Sequence, residues 1–305
     1  MTRNEDSTSL RNYFDERKAL LNFLREDIGS GDITSNSVIK PDLLASSTIL
    51  CKDSEQAIVA GLTEVEIIFD LCKCSCTVLV EEGSTVSHGK EVMRIKGNAR
   101  DILKAERTAL NLLMRMSGIA TETKKFVEAV RKISQDIQIA GTRKTAPGLR
   151  YFDKKAIKIG GGKSHRNSLD EMVLIKDNHL GLTGSIRDSI SGAKKSVGNN
   201  IKVECEVTDL HSAIEAISFG ADIVMLDNFS PKEVENATQV LKELGLRQKC
   251  LLEISGGISL VNVSQFAISK PDIISVGSLT HSVKAINFSL EVDSCRRKKV
   301  DPRHY

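Results

Sequence analysis

Apolar positions change their spacing along this chain, and each change marks an element. Leu20 to Leu24 open a short apolar helix that ends near Gly29-Ser30-Gly31-Asp32. Residues 46–97 mix short alternating runs with one helical stretch. Thr48-Ile49-Leu50-Cys51 reads as a strand, and Thr63 to Leu71 as a helix with Val65, Ile68 and Phe69 among its apolar positions. Cys76 to Val80 and Val92 to Ile95 read as strands around a turn that contains Glu82-Gly83 and His88-Gly89. Asp101 to Met116 repeats Ile102, Ala105, Ala109, Leu112 and Leu113 at helical spacing. A separate helix is predicted over Gly118 to Ile133. Residues 1–15 are a polar lead-in.

From Ile133 onward the pattern alternates. Short apolar runs at Ile137–Ala140, Met172–Ile175, Ile201–Val207, Ile223–Leu226, Cys250–Ile254 and Ile273–Val276 read as strands. Helical segments such as Leu210–Phe219, Pro231–Leu244 and Leu260–Ala267 separate most of them. A seventh strand is possible near Ala156–Ile159. Such alternation predicts a parallel sheet. The residues at the carboxyl end of each strand narrow the architecture. Thr142-Arg143-Lys144 comes after the first, Lys176-Asp177-Asn178-His179 after the second, and Glu204 and Glu206 end the third. Asp227-Asn228, Ser255-Gly256-Gly257 and Gly277-Ser278 come after the rest. An open sheet gathers polar groups mainly at its switch point, whereas a barrel gathers them at every strand end. Six polar strand ends favour a closed or nearly closed α/β barrel.

Composition sets limits on this picture. The chain has 305 residues, 40% hydrophobic and 27% charged, which is ordinary for a globular protein with a substantial core. A net charge of +3 gives no argument for nucleic acid or a membrane surface. No run reaches the roughly 18 apolar residues that would span a bilayer. The seven cysteines lack the spacing of a secreted disulfide framework and suit reduced thiols in a cytosol. Cys72, Cys74 and Cys76 alternate as if on one strand, a spacing that suits packed thiols better than a zinc knuckle.

Because net charge is small, any strongly basic site must be local. Arg143, Lys144, His165, Arg166 and Lys176 all fall in or beside loops at the same barrel mouth. Like charges gathered there repel unless an anion fills the space, and arginine offers a planar fork for carboxylate or phosphate. A solvated surface charge accounts for one lysine; five such residues threaded through glycine-rich loops favour a polyanion site. Gly160-Gly161-Gly162 admits close approach of backbone amides to an anion, although a glycine run is often only a turn. Late strand loops such as Ser255-Gly256-Gly257 and Gly277-Ser278 suit phosphate. Glu206 and Asp227 can hold Mg²⁺ or accept from sugar hydroxyls; the plainer account is neutralisation of a nearby lysine.

These residues resemble the quinolinate phosphoribosyltransferase family. The likeness runs through Arg25 to Thr34, Ala105-Glu106-Arg107-Thr108-Ala109-Leu110-Asn111, and the block GTRKTAPGLR, GGGKSHR and IKDNH between Gly141 and His179. Glu206, Leu226-Asp227-Asn228-Phe229, Glu253 to Gly257, and Gly277 to Ser282 continue it in order. The resemblance implies an N-terminal α/β sandwich with its linking helix over 1–115 and an incomplete, about seven-stranded parallel α/β barrel over 116–279. Residues 280–305 are expected to pack back on the sandwich, ending in a solvated basic run from Arg296 to Lys299.

The resemblance also implies transfer of phosphoribosyl from phosphoribosyl pyrophosphate to quinolinate, with loss of CO₂. The product, nicotinate mononucleotide, feeds NAD biosynthesis. Arg107, Thr142, Arg143, Lys144, His165, Arg166, Lys176, Glu206, Asp227, Ser255, Gly256, Gly257, Gly277, Ser278 and His281 are the implied substrate-binding residues. Lys144, Lys176, Glu206 and Asp227 are the implied catalytic set, and Glu206 and Asp227 the implied Mg²⁺ ligands. A homodimer or hexamer of dimers with a shared site is expected, Arg107 being the residue contributed by the partner, together with a cytoplasmic location. A molybdenum-transport-associated relative, a nicotinate phosphoribosyltransferase and a non-catalytic nucleotide sensor are the rival readings. The intact Lys176–His179 segment, and more positive charge than a monocarboxylate needs, favour quinolinate.

Overall fold

The computed structural model describes residues 14–296; the lead-in before Phe14 and the basic run Arg297-Lys298-Lys299 lie outside the described residues. The described residues divide into two compact units, one formed by residues 14–117 and 285–296, the other by 118–284.

In the first unit α1 (Glu16–Ile28) starts at an Asp15 cap, whose carboxylate accepts from the Lys18 amide, and ends at Gly29. Its apolar stripe buries Leu20 and Leu24. Asp32 caps the short α2 (Ile33–Val38) in the same way. β1 (Leu44–Cys51), β2 (Ala57–Ile58), α3 (Leu62–Leu71), β3 (Ser75–Val78), β4 (Thr85–Val86) and β5 (Glu91–Asn98) come next. Ile49, Phe69, Met93 and Ile95 are fully buried here.

The three alternating cysteines do not share a strand. Cys72 caps α3, Lys73 takes a left-handed turn (φ 61°), and the Cys74 amide donates back to the Phe69 carbonyl at 2.9 Å. Helix termination consumes these residues before β3 begins, so only Cys76 lies on it. Burial pushes the thiols of Cys74 and Cys76 up to about 12, which makes them poor metal ligands and nucleophiles.

The two helices expected around residue 117 are one: α4 runs unbroken from Ala99 to Arg131. A glycine inside a helix costs only about 1 kcal/mol. The buried stripe Leu113, Met116, Ile119, Ala120, Phe126, Val127 and Val130 runs straight past Gly118.

The second unit is the barrel. Its elements alternate as β6 (Gln138–Gly141), α5 (Arg150–Ile159), β7 (Val173–Ile175), α6 (Asp177–Thr183), α7 (Ile186–Val197), β8 (Val203–Val207), α8 (Leu210–Ser218), β9 (Ile223–Asp227), α9 (Pro231–Glu243), β10 (Leu251–Ser255), α10 (Val263–Ile268), β11 (Ile273–Val276) and α11 (Ser278–His281). The six strands form one parallel sheet in the order β6-β11-β10-β9-β8-β7.

The barrel is incomplete, and the seventh strand considered near Ala156–Ile159 is instead the end of α5. Phe152, Ala156 and Ile157 are all fully buried at helical spacing, and a short apolar run cannot be told from a strand by period alone. The seventh position is held by one parallel bridge between Ala140 and Lys163. The Lys163 amide donates to Ile139 O at 2.8 Å, and the Gly141 amide donates to Lys163 O at 3.1 Å.

The last strand, β12 (Phe288–Arg296), belongs to the first unit, where it pairs antiparallel with β1. That sheet has the order β12-β1-β5-β3.

Candidate active site

Parallel strands with one hand of connection bring all their carboxyl ends to one face. A cavity of about 350 Å³ opens there, within the usual range for small-ligand sites. Every strand of the sheet, or the loop directly after it, contributes to its lining. Thr142, Arg143 and Lys144 follow β6, and Leu174 and Lys176 come from β7 and its end. Glu206 lies on β8, Met225 and Asp227 on β9, Glu253 and Ser255 on β10, and Ser275 on β11. His165 and Arg166 reach in from the loop that fills the seventh position.

The basic side is held in place from below. Thr142 Oγ1 accepts from the Lys144 amide at 3.1 Å, and the Lys144 carbonyl accepts from Thr280 Oγ1 at 2.8 Å. Arg166 is almost wholly buried and donates one guanidinium N–H to Met172 O at 3.2 Å, leaving the rest of its fork for a ligand. Arg143 Nε is buried with no hydrogen-bond partner, a costly arrangement that a bound anion would relieve.

His165 has a left-handed backbone (φ 51°), and its ring is set beside two buried carboxylates. Burial disfavours the charged ring, but its close approach to Glu204, its hydrogen bond to Glu253 and the charges of both carboxylates prevail and raise its pKa to about 10. That balance favours the charged form of the ring.

On the acidic side Lys176 Nζ pairs with Glu206 Oε2. Asp227 Oδ2 accepts from Asn228 Nδ2 at 2.6 Å. Burial, and then the charge of Glu206, hold the Asp227 carboxyl above its usual range, while Lys176 and Lys144 pull it down. His179 is used locally: its Nδ1 accepts from the Lys176 amide at 3.0 Å and fixes the start of α6.

Some sequence-derived candidates lie elsewhere. Arg107 belongs to the first unit, on α4, with an exposed side chain 4.0 Å from Glu106. Gly256, Gly257, Gly277, Ser278 and His281 follow β10 and β11 but do not line the cavity itself. His281 Nδ1 lies 2.7 Å from Ser282 Oγ, and its ring edge stands 3.3 Å from where a Cβ on Gly277 would be.

The run Gly160-Gly161-Gly162 is not an anion cradle. Its three amides donate to Ala156 O, Lys158 O and Ile157 O, which closes the end of α5. A Cβ on Gly160 would fall 2.5 Å from Ala120 O, and one on Gly162 would fall 2.8 Å from Thr123 Cγ2. Close packing against α4 and β6 is what requires glycine there.

Lys154 was not among the expected residues. Only 3% exposed, it donates from Nζ to Gly141 O at 3.1 Å and also to Ser164 O, tying the end of β6 to the loop that carries His165. Burial first, then the charge of Arg150, lowers its pKa to about 8. Its only sequence signal was a lysine on the same helical face as buried apolar residues. Glu253 was visible only as part of a motif.

A parallel barrel whose mouth opposes guanidinium, imidazolium and ammonium groups to two carboxylates defines a site for a polyanion with hydroxyl groups. Comparison with known proteins specifies the family. The model described as quinolinate phosphoribosyl transferase, N-terminal domain, matches residues 32–117, and that for the C-terminal domain matches residues 119–291. A Methanocaldococcus jannaschii protein named probable nicotinate-nucleotide pyrophosphorylase (carboxylating) is 41% identical over 277 residues, covering 90% of this chain and 96% of its own. The human nicotinate-nucleotide pyrophosphorylase (carboxylating) is 38% identical over 235 residues, 77% of this chain and 78% of its own. The solved nicotinate-nucleotide pyrophosphorylase of Ehrlichia chaffeensis superposes with a TM-score of 0.85 at 31% identity, covering 92% of this chain and all of that one. The chain belongs to the quinolinate phosphoribosyl transferase family.

Proposed function

We propose that this chain transfers the phosphoribosyl group of phosphoribosyl pyrophosphate to the ring nitrogen of quinolinate, with loss of CO₂. The products are nicotinate mononucleotide and pyrophosphate, a step of NAD biosynthesis. The observation that carries this reading is one cavity in which Arg143, His165 and Arg166 converge with Lys144 and Lys176, facing Glu206 and Asp227. Three cationic groups of fixed direction suit a planar dicarboxylate better than a monocarboxylate.

In this reading Arg143, His165 and Arg166 hold the two carboxylates and orient the ring nitrogen. Lys144 and Lys176 meet the phosphates. The turns at Ser255-Gly256-Gly257 and Gly277-Ser278, with His281 beside them, hold the 5′-phosphate. Departure of pyrophosphate leaves positive charge on the ribose ring, which Glu206 and Asp227 are placed to stabilise. No covalent nucleophile is needed; positioning and preorganised charge supply the rate. Once the ring nitrogen is substituted, the pyridinium accepts the electron pair that decarboxylation releases.

Mg²⁺ fits the acidic side. Glu206 and Asp227 are hard oxygen donors on adjacent strands, and burial first, then the charge of Glu206, raises the Asp227 pKa. Bound there, Mg²⁺ would supply charge neutralisation for the leaving group. The reading also includes a homodimer or hexamer of dimers in which Arg107 of one subunit serves the site of another. It includes a cytoplasmic setting, which the six described cysteines, all free thiols, support. Among the described residues, no helix is long and apolar enough to cross a membrane.

The test mixes the purified protein with Mg²⁺, phosphoribosyl pyrophosphate and either quinolinate or nicotinate. CO₂ release with quinolinate alone is expected. Turnover of nicotinate, or tight binding of quinolinate without turnover, overturns the reading.

A further inference from the structure

His165 is held by more negative charge than orientation requires. Its Nε2 lies 2.9 Å from Glu253 Oε2 and 3.3 Å from Glu204 Oε2. Both carboxylates are fully buried. Glu253 is fixed in turn, because Ser275 Oγ donates to its Oε1 at 2.6 Å. Three strands, β8, β10 and β11, thus converge on one ring nitrogen. The single Nε2–H points at Glu253, and Glu204 finds no well-aligned hydrogen bond of its own. Among the described residues, no group of the chain bonds His165 Nδ1.

One carboxylate at Nε2 is enough to select a tautomer. It also leaves Nδ1 with a lone pair, and a lone pair repels a substrate carboxylate. The second buried carboxylate changes that balance. Burial first, and the charge of Glu253 beside it, raise the Glu204 pKa, while His165 draws it back down; with both carboxylates at one ring edge, a proton on each ring nitrogen offsets their charge. Arg166 on the same loop and Arg143 after β6 are cations that line the same cavity. The raised proton affinity of the ring agrees with this balance.

We propose that Glu253, Ser275 and Glu204 are positioning residues: they hold His165 doubly protonated, so that Nδ1–H is a standing donor to a carboxylate of the substrate. The consequence for substrate choice rests on the quinolinate reading above; the protonation state does not. The three residues act through His165 and touch no reacting atom. The arrangement makes the dicarboxylate grip indifferent to pH through the neutral range, where an ordinary histidine would lose its charge.

Two measurements test this, on the full-length protein. The first is the ¹⁵N spectrum of histidine-labelled protein at about pH 8, with the His165 signals assigned by their loss in His165→Gln. Both ring nitrogens are expected at imidazolium positions in the wild type, with a shift to a neutral tautomer in Glu253→Gln. A neutral wild-type ring overturns the proposal whatever the substrate proves to be. The second is kinetic. Glu253→Gln should raise KM for quinolinate roughly tenfold at about pH 8, leave KM for phosphoribosyl pyrophosphate nearly unchanged, and recover toward about pH 6. Ser275→Ala should show the same pattern more weakly. Added to His165→Gln, Glu253→Gln should cost nothing more. A loss shared equally by both substrates, no recovery at low pH, or additive losses in the double variant would each overturn the positioning role. Absence of quinolinate turnover by the wild type counts against the functional reading, while the spectrum still decides the protonation state.

Discussion

Gly256 and Asn228 occupy one slot between two strand ends. Asn228 N donates to Ser255 O at 2.9 Å, and a Cβ on residue 256 would lie 2.7 Å from that same nitrogen. Both residues have left-handed backbones, with φ of 93° and 60°. The turn after β10 is therefore locked to the turn after β9, beside Asp227 and Ser255 of the cavity.

Gly256→Ala should destabilise the barrel by about 1–3 kcal/mol and raise KM for phosphoribosyl pyrophosphate more than KM for quinolinate. Gly220→Ala is the control, since Gly220 has a similar φ of 91° but open space where its Cβ would go. Backbone strain alone should cost it about 1 kcal/mol, with unchanged kinetics. Denaturant titration and initial rates of both variants check this; equal effects would show that the Asn228 contact does not matter.

Arg143→Ala should weaken quinolinate by about 2 kcal/mol, or roughly 30-fold, because a charge-assisted hydrogen-bonding fork is lost. Arg166→Ala should do at least as much, since its buried guanidinium is anchored to Met172 O. Phosphoribosyl pyrophosphate should be affected far less. Calorimetric titration with each substrate separates the outcomes, and equal losses for both would contradict the assignment of these arginines to quinolinate.

Two buried cations give opposite pH dependence to stability. The His165 pKa rises on folding from 6.5 to about 10, so its contribution is fully present below about pH 6.5 and is lost as pH rises toward about 10. The Lys154 pKa falls on folding from 10.5 to about 8, so its buried charge opposes folding below about pH 8, and that opposition is relieved between about 8 and 10.5. His165→Asn should flatten the alkaline decline in unfolding free energy, and Lys154→Met the alkaline gain. Chemical denaturation across this range, for the wild type and each variant, reads both slopes.

Arg107→Ala should abolish most turnover alone yet regain part of it when mixed with a Lys176→Ala variant, if subunits share sites. With one competent combination among the sites of a mixed dimer, recovery of roughly a quarter of wild-type activity is expected. No recovery on mixing would show that Arg107 does not serve a neighbouring subunit.

Much of the barrel was legible because its strands are short apolar runs and its strand ends are polar. The six strands fall within a residue or two of where period and punctuation put them. The misread elements share a cause. Ala156–Ile159, the break at Gly118, and the Cys72–Cys76 strand each depended on local pattern alone, and each was decided by what lay against it. In the candidate site, charged residues next to strand ends stood out. Lys154 and Glu253 did not, because a buried charge looks like any other charge until its partners are known.

The sequence by itself determined the alternation of strand and helix, the polar end on every strand, and the ordered motifs that mark the family. Local period, glycine and capping chemistry are written residue by residue, so these could be read directly. Tertiary structure alone decided that Gly160-Gly161-Gly162 serves packing, that one bridge at Lys163 stands in for a seventh strand, and that His165 rests between Glu204 and Glu253. Those contacts join residues far apart in the chain, and protonation and steric fit depend on distances between groups that no local pattern records.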